Sequence, residues 1–456
     1  MMYLVSALGA LLFSSTSVLS APYGNTSQYS PQIQAIIDAA TADGIDLVAL
    51  PFAAAAFAGI EEVQIPIKIN NTVKKERIDV HVHAIPEWYG NLIPVPAGTP
   101  DPLPPWSVQS HLAFMAANDI SHDVLSISTP GSQIFLGNGV LSVGLARLLN
   151  EVSSPRYLKN DAREADDAER KQWVAALVRT YPEKFSFYAT APLPYVPEAI
   201  KEIEYARTKL GAVGTVLLSN HEGHYLGDPL FTPFFQFLDA RPSEQEAIFI
   251  HPQTPYLRLS NGTLIVANPT PYPTFFAEFF FDTARTVISL TESLTLQNYT
   301  HINYQLPHEG DAWPSVEDRL LKSGPVALEL SSKEIYNTRY VLASQAFSKI
   351  NTYLFHPSPL QYSISTKPPL RFWYDSAGPV FYNQVKGLLG YGVPTTQLVL
   401  GTDYPYVPPF VPPFVPVQSI PDSILDADFI TQAEKLSVFT NAKNIFGGHI
   451  GCCVGR

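Results

Sequence analysis

Eight short apolar runs, each separated from the next by a spacer long enough for a crossover, constrain this chain more than any other feature. They cover residues 77–83, 123–129, 185–193, 214–220, 246–251, 301–306, 370–374 and 397–401. Alternation with period two marks the first and third as strands, and spacers long enough for a helix between the runs are what parallel crossover units require. The fold expected is α/β: a (β/α)8 TIM-type barrel with an N-terminal extension and long loops at the C-terminal mouth. With 456 residues, 46% hydrophobic and 15% charged, the chain can fill such a core, and a mostly disordered chain is excluded.

The first run, Arg77-Ile78-Asp79-Val80-His81-Val82-His83-Ala84-Ile85-Pro86, sets the chemistry. Period two puts His81 and His83 on one face, and Pro86 ends the strand just beyond them. Other strand ends carry similar groups: His251 before Pro252, His308-Glu309-Gly310-Asp311 after the sixth run, and Thr402-Asp403-Tyr404-Pro405 after the eighth. Imidazoles and a carboxylate brought together at the mouth of a barrel can bind a divalent ion and leave one position open for water or substrate. Taken singly, each residue has a plainer reading. His251 could be a core histidine and Asp403 a turn former; it is their shared position at strand ends that favours a metal site. His221 and His224 fall in a glycine-containing loop and are expected to face solvent or, at most, touch substrate.

Residues 1–21 have the shape of a signal peptide, an apolar run followed by small residues, with a buried N-terminal helix as the other reading. Residues 22–76 form an extension with a helix at 33–40, and 77–456 the barrel. Four sequons, at Asn25, Asn70, Asn261 and Asn298, agree with a secreted, N-glycosylated protein. The two cysteines, Cys452 and Cys453, are adjacent and provide no disulfide framework. A net charge of −12 without a basic run argues against nucleic acid and anionic membrane as partners and points to a small molecule. Seven prolines and two glycines make 84–110 read as a loop over the mouth. Residues 161–179 read as an amphipathic helix, and 405–416 as a second proline-rich loop, either closing over a planar ligand or lying inert on the surface.

The stretches Ile78-Asp79-Val80-His81-Val82-His83, Tyr225-Leu226-Gly227-Asp228-Pro229, Ile250-His251-Pro252, Phe281-Asp282-Thr283-Ala284-Arg285, Trp373-Tyr374-Asp375-Ser376-Ala377 and Gly401-Thr402-Asp403-Tyr404-Pro405 occur in this order. In this the chain resembles the amidohydrolase superfamily, in the branch that contains aminocarboxymuconate-semialdehyde decarboxylase and 6-methylsalicylate decarboxylase. The resemblance implies that His81, His83, His251 and Asp403 ligate one Zn²⁺, with Mn²⁺ the other candidate ion. It also implies that His308 orients a metal-bound water or a substrate oxygen, and that Asp403 takes part in proton transfer to the ring carbon. Arg319 resembles an arginine that binds substrate carboxylate in a neighbouring subunit's site, which implies a homodimer.

Two departures stand out. Glu309 and Asp311 add carboxylates where the family has glycines, and no Arg or Lys occurs from Ala84 to Ala146. The function expected is decarboxylation of a small aromatic or phenolic acid without an organic cofactor. Protonated Asp403, its pKa raised by exclusion of water, would deliver the proton. The rivals are a metal-dependent hydrolase of lactones or cyclic amides and a binding glycoprotein without catalysis.

Overall fold

The computed structural model describes residues 28–62, 75–94, 103–153, 175–240, 246–323, 371–378, 381–406, 419–447 and 450. The presumed signal peptide, Asn25, Asn70, most of the helix at 161–179, residues 407–416 and both cysteines lie outside the described residues.

All eight runs are strands: β1 (Ile78–Ala84), β2 (His122–Ile127), β3 (Phe185–Thr190), β4 (Gly214–Leu218), β5 (Glu246–His251), β6 (Ile302–Leu306), β7 (Phe372–Asp375) and β8 (Leu398–Val399). They are hydrogen-bonded in sequential order, every pair parallel. Closure rests on the segment that continues β8. Val80 N donates to Leu400 O at 3.0 Å, Asp403 N to His81 O at 2.7 Å and His83 N to Tyr404 O at 2.7 Å. Every residue of β1, β2, β3 and β5 is buried, as strands walled by side chains inside and helices outside must be.

The N-terminal extension contributes α1 (Pro31–Ala42) and α2 (Ala53–Glu62). Ile33, Ile36 and Phe57 join Leu145 and Leu148 in one apolar cluster, so the extension packs on the barrel wall. An ion pair fixes it there: buried Arg147 donates to Glu202 at 2.7 Å and to Asp43, at the end of α1, at 2.6 Å.

Three features depart from the expectation. The proline-rich stretch after β1 contains a turn of helix, Glu87–Gly90, and then enters α3 (Val108–Ala117) at Ser107, whose side chain caps it. A helix not read in the sequence, α4 (Gly139–Ser153), carries Arg147. After β5 comes an antiparallel hairpin, Tyr256–Arg258 with Leu264–Val266, followed by α5 (Glu278–Glu292); α6 (Trp313–Ser323) follows β6 and packs on α5. Among the described residues no helix is long and apolar enough to cross a membrane.

Candidate metal centre

The mouth of the barrel brings together the four residues read from the strand ends. One donor atom from each of His81, His83, His251 and Asp403 lies within 4.8 Å of the others. Strand period accounts for His81 and His83. Asp403 reaches them because its own N–H bonds to the carbonyl of His81, which swings the chain after β8 across β1. That path needs Gly401: a Cβ there would come 2.8 Å from His81 Cβ and 3.0 Å from Asp375 Cβ. Asp403 itself is left-handed, φ 59°, a conformation that costs energy without glycine and collects at functional sites.

Each imidazole is held from behind through Nδ1. His81 Nδ1 lies 3.0 Å from Asp375 Oδ2, His83 Nδ1 3.0 Å from Ser126 Oγ, and His251 Nδ1 2.6 Å from the carbonyl of Pro252. A carbonyl only accepts, so the proton of His251 sits on Nδ1 and its Nε2 lone pair is left free. Burial lowers the pKa of His83 and His251 and keeps both rings neutral, as ligands must be. At His81 burial also acts downward, but Asp375 and Asp403 outweigh it and push the pKa up to about 9. His81 Nε2 is buried without a hydrogen-bond partner, 3.4 Å from Asp403 Oδ1. Anchored imidazoles that present Nε2 beside a carboxylate are the donor set of a divalent cation, and a metal site of three histidines and one aspartate is present.

His308 stands beside the ligands rather than among them. Its Nε2 is 3.8 Å from Asp403 Oδ2, and its Nδ1 is 3.0 Å from Asp311 Oδ1. Phe280 of α5 stacks on its ring, centroids 5.5 Å apart at 25°. The turn is built from left-handed residues, His308 (φ 47°), Glu309 (φ 58°) and Asp311 (φ 55°), which lets Asp311 fold back onto the imidazole. Burial disfavours the imidazolium, yet Asp311 and Asp403 hold the pKa of His308 well above its usual value.

The expectation that Asp403 has a raised pKa is corrected here. Burial does push it up, but contacts with His308, His81 and His83 prevail and hold the carboxyl well below its ordinary range. Contacts with these rings therefore favour the anionic form of Asp403.

His221 is buried, not solvent-facing. It hydrogen-bonds Gln133 and packs on Phe231, while half-buried His224 pairs with Asp228 at 2.8 Å. Neither joins the metal cluster. Arg319 is exposed on α6. Asp375 falls in one of the sequence motifs, which by themselves assign it no role. Its position at the end of β7, the same end as the ligands of β1 and β5, was the available signal.

A family model described as amidohydrolase matches residues 78–241. Over 249 residues it is 28% identical to decarboxylase macB of Penicillium terrestre, an alignment spanning 53% of this chain and 66% of that one. Over 272 residues it is 26% identical to the 6-methylsalicylic acid decarboxylase acuB of Aspergillus aculeatus, covering 58% of this chain and 73% of that one. The aligned stretch is thus about two thirds of the length of these relatives. The barrel also superposes on a dihydroxybenzoic acid decarboxylase from Polaromonas solved with bound manganese and 2-nitroresorcinol. The TM-score is 0.53 at 18% identity, over 82% of this chain and 97% of that one.

Proposed function

We propose that this chain is a metal-dependent decarboxylase of a small aromatic or phenolic carboxylic acid, of the 6-methylsalicylate kind, working without an organic cofactor. The observation that carries the reading is the His308–Asp311 pair set 3.8 Å from the partly exposed ligand Asp403, a proton donor beside the metal ligands. The resident ion is read as Zn²⁺, with Mn²⁺ the other candidate; when bound it supplies a Lewis acid and a template for the substrate's carboxylate and ortho hydroxyl.

Losing carbon dioxide from an aromatic ring requires a proton on the carbon that bears the carboxylate. In the resting site that proton is held on His308, at Nε2, with Asp311 compensating its charge at Nδ1. Asp403 Oδ2, 3.8 Å from His308 Nε2, passes that proton on to the ring carbon. The new C–H bond forms, the C–C bond to the carboxylate breaks, and its electron pair restores the ring's aromaticity. Tyr406 OH on Ser128 Oγ at 2.5 Å, with its ring 5.5 Å from that of His83, walls the site and keeps water out of one side.

The further parts of the reading are export from the cell with N-glycans and a homodimer in which Arg319 approaches the second copy's substrate. In its support, Asn261 and Asn298 are both exposed, and α6 packs on α5, the helix whose Phe280 touches His308. The test is to incubate the metal-loaded protein with 6-methylsalicylate, with hydroxybenzoates and with lactones, following carbon dioxide release and ring opening. Carbon dioxide from one of the acids, lost in Asp403→Asn, is expected. Ring opening without carbon dioxide would transfer the site to the hydrolases, and an Asp403→Asn protein with full turnover and full metal content would refute the proton route.

A further inference from the structure

The end of the barrel opposite the metal ligands carries a cavity of its own. It lies where the chain enters β1 and holds about 610 Å3 between residues 75–77, the helix Ile420–Asp426, the helix Gln432–Val438 and the turn that follows. Ligand pockets commonly hold about 300–1,000 Å3. The walls are mostly apolar, with Leu425, Ala433, Leu436 and Phe439 facing inward. Leu436 is 52% exposed, and Lys435 Nζ donates to Leu425 O at 2.7 Å, fastening one helix to the other.

Arg77, which lines this cavity, is 6% exposed and lacks a counter-charge. Its NH1 donates to Asn118 O at 2.6 Å, and its guanidinium carbon stands 4.6 Å from the centroid of the Phe439 ring. Nε is buried without a hydrogen-bond partner, and among the described residues no carboxylate pairs with the group. Other buried arginines do not share this state: Arg147 meets Glu202 at 2.7 Å and Arg207 meets Glu246 at 2.5 Å. The carboxylates nearby are already taken, Glu76 by Lys443 at 2.5 Å and Asp119 by Lys75 at 3.5 Å. A guanidinium cannot shed its proton, and arginine is rarely buried unless paired.

The occupant follows from these two properties. On a chain that carries −12, the cations Lys75, Arg77 and Lys443 here outnumber the anions Glu76 and Asp119. Apolar walls favour a hydrocarbon body, and an unpaired guanidinium favours a carboxylate, to which it forms charge-assisted hydrogen bonds. We infer that this cavity is a second ligand site, which takes a small carboxylic acid with an apolar body, its carboxylate against Arg77 and its body against Leu425 and Leu436. The site does not depend on the reaction at the mouth. It touches the segment that leads into β1, the strand that bears His81 and His83 toward its other end.

The test is calorimetric titration of the metal-loaded protein with octanoate and with benzoate, each beside its alcohol, octan-1-ol and benzyl alcohol, together with hydrogen exchange. At least one acid should bind, about tenfold or more tighter than its alcohol, the worth of a hydrogen bond to a charged group. The bound acid should protect residues 432–440. Arg77→Met and Leu436→Glu, which sets a like charge at the rim, should each weaken the acid by about tenfold or more. Leu436 is on the surface, so its variant reads the site even where Arg77→Met does not fold. Tighter octanoate marks a fatty acid as the ligand, tighter benzoate an aromatic one. Binding of neither acid, alcohols that bind as tightly as the acids, no protection at 432–440, or full affinity in Leu436→Glu would each overturn the inference. An acid held only at the metal site gives the third of these results.

Discussion

Replacing Asp375 by asparagine isolates what stands behind the metal ligands. The carboxylate accepts from His81 Nδ1 (3.0 Å), Gln305 Nε2 (2.8 Å), His308 N (3.0 Å) and Ala377 N (3.1 Å), entirely buried. Asparagine keeps the shape but has one accepting oxygen. Whichever way the amide turns, its NH2 group faces at least one donor, and the negative charge opposite His81 is gone. Leaving a buried donor unpaired costs about 1–3 kcal/mol. Part of that cost falls on folding and part on the ring whose Nε2 must face the ion. Removing a partner of this kind lowers metal affinity by about 10–100-fold, equivalent to about 1.4–2.7 kcal/mol. The assay is chelator competition for the ion, with thermal unfolding of the metal-free protein measured in parallel. Asp375→Asn should bind the ion more weakly and also unfold at lower temperature without it. A variant that unfolds like the wild type and holds its ion within about threefold of wild-type affinity, well short of the expected loss, would refute the idea that this carboxylate orients His81.

Other consequences follow from the same geometry. Gly401→Ala should destabilise the protein by about 1–3 kcal/mol and reduce its metal content, because the new methyl presses on both His81 and Asp375; elemental analysis and thermal unfolding read the two effects. His308→Asn should keep the ion and lose turnover, whereas Asp311→Asn should fall between the two, as steady-state rates and metal analysis would reveal. Arg147→Met should cost about 3–5 kcal/mol because Glu202 is left buried and uncompensated. The double change Arg147→Met with Glu202→Gln should recover most of that in chemical denaturation. Chelation followed by dialysis should abolish carbon dioxide release, and readdition of Zn²⁺ or Mn²⁺ should restore it.

The barrel was legible because its eight strands appear as separate strand-like runs, and because a parallel sheet forces long spacers between them. His81, His83, His251 and Asp403 were legible for the same reason: once the runs are strands, the residues that end them share one rim of the barrel. The sequence also carried Asp375 and Asp311 in plain view, but nothing local says that one backs His81 from 294 residues away or that the other folds onto His308 through three left-handed residues. The protonation of Asp403 was misjudged for a related cause. Burial is visible in composition, whereas the three imidazoles that outweigh it arrive from other strand ends. The apolar hairpin gave no periodic sign of being exposed, and Arg147 none of being buried, since exposure depends on what the rest of the chain lays over a residue. Strand identity and the residues at strand ends were thus fixed by local pattern. Which proton sits on which atom, and which surface is left uncovered, followed only from long-range contacts that folding creates.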